Sequence, residues 1–195
     1  MLAISLIMIE GKGDRGKFTK NILRKVDVEM FNRFMKKPKG IEEFIVSPMH
    51  GEVIHLSEVP DPVFAQKMVG DGVAIIPKEG TVVSPVKGEV IQVFPTKHAI
   101  GIRSEHGLEV LIHIGLETVE LNGNGFEVFV SAGQKVVPGE RLLKVDLEIL
   151  NQNNKKSITP IIITNMDEKV GQIELLKGGE VQLGEVIFKC LINGK

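Results

Sequence analysis

The chain has 195 residues, 43% of them hydrophobic and 25% charged, with a formal net charge of −1 and a single cysteine. That length and apolar content provide one well-buried domain with room for a tail, and they exclude a disordered chain. One cysteine, Cys190, excludes an intrachain disulfide and a cysteine-rich zinc site, and it fits a reducing, cytoplasmic compartment.

The chain opens on Met1 to Ile9, an apolar run of nine residues. It lacks the basic flank and small-residue cleavage site of an export signal, so a start segment or extra strand is expected. No apolar run approaches the roughly 18 residues that a membrane span needs. Residues 1–40 hold ten Lys or Arg against four Asp or Glu, and residues 41–195 hold 14 against 21. A basic extension (+6) thus precedes an acidic body (−7). The body is a poor partner for nucleic acid and suits basic proteins.

Within the extension, Phe18 to Lys37 carries Ile22, Val26, Met30 and Phe34 at four-residue spacing, and Pro38-Lys39-Gly40 stops the pattern. This predicts an amphipathic helix with Arg24, Lys25, Arg33, Lys36 and Lys37 on its polar face. Such a segment is either a linker helix or tail, or a peripheral contact with an anionic membrane surface.

From Ile41 the texture becomes β. Short Val, Ile and Leu runs are cut every eight to twelve residues by Gly or Pro, which predicts an all-β domain, a β-sandwich or barrel-like fold, over residues 41–195. Short helical turns are expected at Val63 to Met68 and around Leu147 to Gln152. Two faint repeats suggest a duplicated β unit. Ser47-Pro-Met-His-Gly-Glu-Val-Ile54 recurs 37 residues on as Ser84-Pro-Val-Lys-Gly-Glu-Val-Ile91. Gly133-x-x-Val136-x-x-Gly139-Glu140 recurs 45 residues on, from Gly178 to Glu185.

Five histidines are candidates for chemistry, and the strand 109–116 holds the most informative one. Alternation predicts Val110, Ile112, Ile114 and Leu116 on one face, with Leu111, His113 and Gly115 on the other. Gly115 is expected to leave the His113 ring uncovered. If Phe94 to Ile102 is extended from Thr96, then Thr96, His98, Ile100 and Ile102 share a face, and Thr96 can bond the His98 imidazole. A hairpin turn at Glu105-His-Gly107 would pair 97–103 with 108–114 and bring His98 close to His113. One ring could then attack phosphorus while the other donates to the phosphoryl oxygens. His50, His55 and His106 fall in or beside turns and read as structural or solvated.

The run Gly107-Leu-Glu-Val-Leu-Ile-His-Ile-Gly-Leu-Glu-Thr-Val-Glu-Leu121 resembles the signature of glucose-type enzyme IIA, of the bacterial phosphoenolpyruvate-dependent sugar phosphotransferase system. The resemblance extends to Val63-Phe-Ala-Gln-Lys-Met-Val-Gly-Asp-Gly-Val-Ala74, to Thr96-Lys-His98 and to Thr164-Asn-Met-Asp167, and it spans roughly residues 44–190. It implies a compact antiparallel β-sandwich with a shallow active face and a phosphotransferase that works through a phosphohistidine. It places the phosphorylated Nε2 at His113, the histidine for onward transfer at His98, and the orienting threonine at Thr96. Val63, Val69, Phe94 and Leu111 become the apolar rim, and Glu117 stands where an acidic residue, often Asp, is usual. Leu111 replaces a Phe found in well-known members, and the 40-residue extension is longer than the short amphipathic tail that some stand-alone members have. The implied partners are the phosphocarrier HPr, an enzyme IIB domain of a sugar permease, and proteins regulated by the phosphorylation state.

No cofactor is expected. His98 and His113 could at most supply half of a zinc site shared with a partner's carboxylate. A zinc hydrolase on a related scaffold needs three ligands, and this strand offers one. A lipoyl or biotinyl carrier needs a different lysine context from Thr164-Asn-Met-Asp-Glu-Lys169. A regulatory binding protein without transfer would not need both histidines.

Overall fold

The computed structural model describes residues 40–193. The basic extension, with the helix expected over 18–37 and its membrane contact, lies outside the described residues. From Gly40 the turn-punctuated apolar runs become strands: β1 (Gly40–Val46), β2 (Gly51–His55), β3 (Asp71–Pro77), β4 (Thr81–Val83), β5 (Gly88–Val93), β6 (Ala99–Ser104) and β7 (Glu109–His113). They continue as β8 (Phe126–Val128), β9 (Lys135–Val136), β10 (Arg141–Val145), β11 (Thr159–Ile163), β12 (Val170–Leu175), β13 (Gly179–Val181) and β14 (Val186–Asn193). The helices are short: α1 (Pro62–Ala65), α2 (Leu147–Gln152) and α3 (Met166–Lys169). Asp61 starts α1 by accepting the Val63 N–H, with Pro62 in the first turn where its missing donor costs nothing. Among the described residues no helix is long and apolar enough to cross a membrane.

Every strand pairing is antiparallel. An eight-stranded sheet runs in the order β13-β2-β3-β11-β7-β6-β5-β9, beside two three-stranded sheets, β1-β14-β12 and β4-β10-β8. The main core gathers Ile100, Ile112 and Ile161 from the large sheet with Phe188 and Leu142 from the small ones. At about 1.5–3 kcal/mol for each large apolar side chain withdrawn from water, this two-layer burial is the main favourable contribution to the fold.

The expected duplication is present in the hydrogen bonds. Ser47 and Ser84 are both fully buried, and each hydroxyl donates to the carbonyl two residues ahead, of Met49 and Val86. The two turns then cross-bond: the Val46 N–H reaches Pro85 O, and the Val83 N–H reaches Pro48 O. The second repeat joins the first in matching fashion, with Gly184 N–H on Ser47 O and Gly139 N–H on Ser84 O, both 3.0 Å. These bonds and the strand registers relate the two halves of the large sheet by a pseudo-twofold axis between Ile112 and Ile161. It carries Gly88 onto Gly51, Ile102 onto Ile75 and His113 onto Ile162.

Two expectations of alternation fail near the strand ends. Leu116 does not share a face with Val110 and Ile112. It joins a second apolar cluster with Leu56, Phe64 and Ile162 on the opposite face of the large sheet. The reason is Gly115, at φ +73°, which turns the chain over after His113. Likewise β6 begins only at Ala99, because Lys97 at φ +58° ends the extended backbone. Thr96 and His98 therefore meet across a turn and do not share a strand face.

Candidate functional site

The hairpin of β6 and β7 is the foundation of the site. Ala99 pairs with His113 and Gly101 with Leu111, and the Ile114 N–H closes on His98 O at 2.8 Å. This is the antiparallel pairing expected of the two segments. It sets the His98 and His113 rings edge to face, with centroids 4.9 Å apart. His98 is buried and His113 is part-exposed at the strand end.

Each ring is held by one further contact. The His113 Nδ1 lies 2.8 Å from the Gly115 carbonyl oxygen. A carbonyl only accepts, so Nδ1 carries the proton and Nε2 presents its lone pair. This is also a different task for Gly115 from uncovering the ring. A Cβ at Gly115 would come within 2.6 Å of Thr118 Cγ2 and 2.9 Å of Lys156 O, so the glycine lets the loop pack while its carbonyl faces His113. The His98 Nδ1 lies 2.6 Å from Thr96 Oγ1. When the hydroxyl donates there, the single N–H proton of the neutral His98 ring sits on Nε2.

The apolar surround has two origins. Phe94 lies edge-on to His98 at 5.4 Å between ring centroids, and Phe64 tilts against His113 at 5.1 Å. Of the rim residues read from the sequence, Val63 and Val69 are exposed and Phe94 and Leu111 half-buried. Glu117 is 72% exposed, with a left-handed backbone at φ +57°. Among the described residues no group of three or more His, Cys, Asp or Glu could hold a metal ion. The histidine pair stands without a third ligand of its own.

The family model for the phosphoenolpyruvate-dependent sugar phosphotransferase system, EIIA 1, matches residues 43–169. The glucose-specific EIIA component of Bacillus cereus is 59% identical over 129 residues, which cover 66% of this chain and 78% of that protein. The counterpart from Staphylococcus epidermidis is 47% identical over 163 residues, covering 80% and 98%. The solved glucose permease IIA from Mycoplasma capricolum superposes with a TM-score of 0.72 at 43% identity, covering 76% of this chain and 96% of that one. The chain belongs to the EIIA 1 family. It is a phosphoryl-carrier component of the sugar phosphotransferase system.

The electrostatics of this EIIA site favour the neutral form of both rings. Burial, and then the neighbouring His113, lower the His98 pKa from the usual histidine value to about 4. Burial also lowers His113, opposed by the Gly115 carbonyl and by the negative charge of Asp61. A neutral imidazole is the form with a free lone pair, so the pocket favours the nucleophilic state.

Sequence reading missed Phe64, Asp61 and the Gly115 carbonyl. Asp61-Pro62 was a visible helix-start signal, but nothing local says that the segment it starts crosses the sheet to reach His113. The His50 ring, read as structural or solvated, bridges Glu79 at 3.2 Å and Gln182 at 3.2 Å.

Proposed function

We propose that His113 accepts the phosphoryl group on Nε2 from phospho-HPr and passes it to an enzyme IIB domain of a sugar permease, in the cytoplasm. The observation that carries this reading is the Gly115 carbonyl on Nδ1, which leaves Nε2 as the nucleophile of a ring whose neutral form burial favours. In the forward step, Nε2 attacks phosphorus, the P–N bond to HPr breaks, and HPr leaves with its histidine restored. The charge that forms on the ring is spread toward Nδ1–H and the carbonyl that accepts from it.

His98 serves the loaded state. With Thr96 donating to its Nδ1, its Nε2–H is free to bond a phosphoryl oxygen on the adjacent ring, 4.9 Å away between centroids. That bond steadies the charge that moves when a second nucleophile attacks from IIB. Val63, Val69, Phe94 and Leu111 form the apolar rim against which either partner excludes water, and Glu117 adds an acidic edge for a basic partner. The names of the similar proteins point to glucose as the sugar served. Proteins regulated by the phosphorylation state would read the same face. A zinc ion shared between this histidine pair and a partner's carboxylate is a further use of the face, and residues 1–40 would add peripheral membrane contact.

The test is mass spectrometry after incubation with phosphoenolpyruvate, enzyme I and HPr. Wild type should gain one acid-labile, base-stable phosphoryl group and His113→Ala none. Label retained on His113→Ala would overturn the assignment.

A further inference from the structure

The loop that aims the Gly115 carbonyl is an awkward piece of backbone. Gly115, Glu117 and Asn122 all have left-handed φ, at +73°, +57° and +50°. For the two non-glycines this costs on the order of 1 kcal/mol each. Such a loop persists only if its surroundings hold it. Inside the loop, the Thr118 hydroxyl donates to Ile114 O at 2.6 Å. From outside, the chain after α2 supports it: the Leu116 N–H bonds Lys156 O at 2.8 Å.

The residue before Lys156 makes the other outside link. Lys155 Nζ lies 2.5 Å from Glu120 Oε2 and 3.6 Å from Glu117 Oε2, one carboxylate near each end of the Glu117–Leu121 turn. Its side chain is only 12% exposed, whereas both carboxylates are mostly exposed. Lys155 is itself anchored, because its N–H bonds Leu150 O at 2.9 Å, on α2. The aliphatic stem of Lys155 is largely covered while its ammonium reaches two exposed carboxylates, so one packed side chain ties both ends of the turn at once.

We propose that Lys155 is a positioning residue for phosphoryl transfer: by gripping Glu117 and Glu120 it holds the left-handed loop whose Gly115 carbonyl fixes the His113 ring. The inference rests on the phosphoryl-acceptor role of His113, but its first readout does not.

That readout is nitrogen NMR of the unphosphorylated full chain, which reports which ring nitrogen of His113 carries the proton and where the ring titrates. In Lys155→Met the population with the proton on Nδ1 should fall and the His113 titration should move to lower pH, since the ring loses the carbonyl that favours its protonated form. Uptake of the phosphoryl group from phospho-HPr should slow on the order of tenfold, as expected for loss of alignment at a reacting atom. Lys155→Arg, which keeps the charge and reach, should restore both. Glu120→Gln severs the tighter link from the exposed side, where folding is not at stake, and should shift the His113 tautomer in the same direction. Wild-type tautomer and titration in both Lys155→Met and Glu120→Gln would overturn the proposal. So would a loss in Lys155→Met that Lys155→Arg leaves unrepaired. If His113 were not the acceptor, the uptake arm would fail in wild type while the NMR arm still reported on Lys155.

Discussion

The two halves of the large sheet share one strand register and part company at a matching pair of connections. Between β5 and β6 the chain turns in five residues, Phe94 to His98, and this turn delivers Thr96 and His98 to the end of β7. Between β2 and β3 the matching connection runs for fifteen residues, Leu56 to Gly70, and carries α1 across the sheet face. There Phe64 seals Ile162, the pseudo-twofold counterpart of His113, into the second apolar cluster. One half thus closes its position over an isoleucine. The other leaves it open over a histidine, and Phe64 from the closed half forms one wall of the open site. A duplicated unit alone makes no catalytic residue. The asymmetry of the connections seals one copy and leaves the other open to the role proposed for His113.

Removing the shared wall should have the largest effect. Phe64→Ala empties the second cluster and should destabilise the domain by about 3–5 kcal/mol, read as a lower midpoint in urea at unchanged slope. An unchanged midpoint would mean that the long connection does not seal the second half.

Next comes His98→Gln. It should leave uptake from phospho-HPr within about threefold but slow onward transfer to a IIB domain about a hundredfold, equivalent to about 2.7 kcal/mol in the barrier. Equal loss in both directions would make His98 a structural neighbour of His113 rather than a participant.

Making the halves alike probes the same contrast from the closed side. Ile162→His puts a polar ring where no water reaches and should cost about 2–3 kcal/mol without creating a second phosphoryl acceptor. A second phosphoryl group in the mass spectrum would show that the backbone plan suffices by itself.

The smallest effect is on pH dependence. A histidine lowered by burial stays neutral further into acid than a free one. An unperturbed imidazole would be only about a quarter neutral at pH 6, so uptake by this chain should fall less than fourfold between pH 8 and pH 6. Stability follows the same sign. Below about pH 6.5 the unfolded chain takes up protons that the folded His98 refuses until about pH 4, so stability is lost as the pH falls through that window. A fourfold or steeper fall in uptake would show that the folded site does not hold His113 below its ordinary range.

Much of this was legible from residue order. The β-sandwich, its duplication, the helix at Leu147 to Gln152 and the β6–β7 hairpin all follow from period-two runs, turn residues and repeats. What escaped lies where the backbone leaves regular geometry. Alternation placed Leu116 on the wrong face because it counts residues and ignores the left-handed turn at Gly115. It extended β6 through Thr96 because a lysine at positive φ carries no local signature. Phe64 and Lys155 act through contacts 49 and 38 positions from their partners at His113 and Glu117, a separation that no local pattern records.

The central claim is that the Gly115 carbonyl, by holding the proton on Nδ1, selects Nε2 of His113 as the atom that takes the phosphoryl group. Phosphorus and nitrogen NMR of the phosphorylated full chain tests it most directly. The account predicts one phosphoryl group, bonded to Nε2 of His113, with the proton still on Nδ1. Phosphorus bonded to Nδ1, or to any residue other than His113, would contradict it.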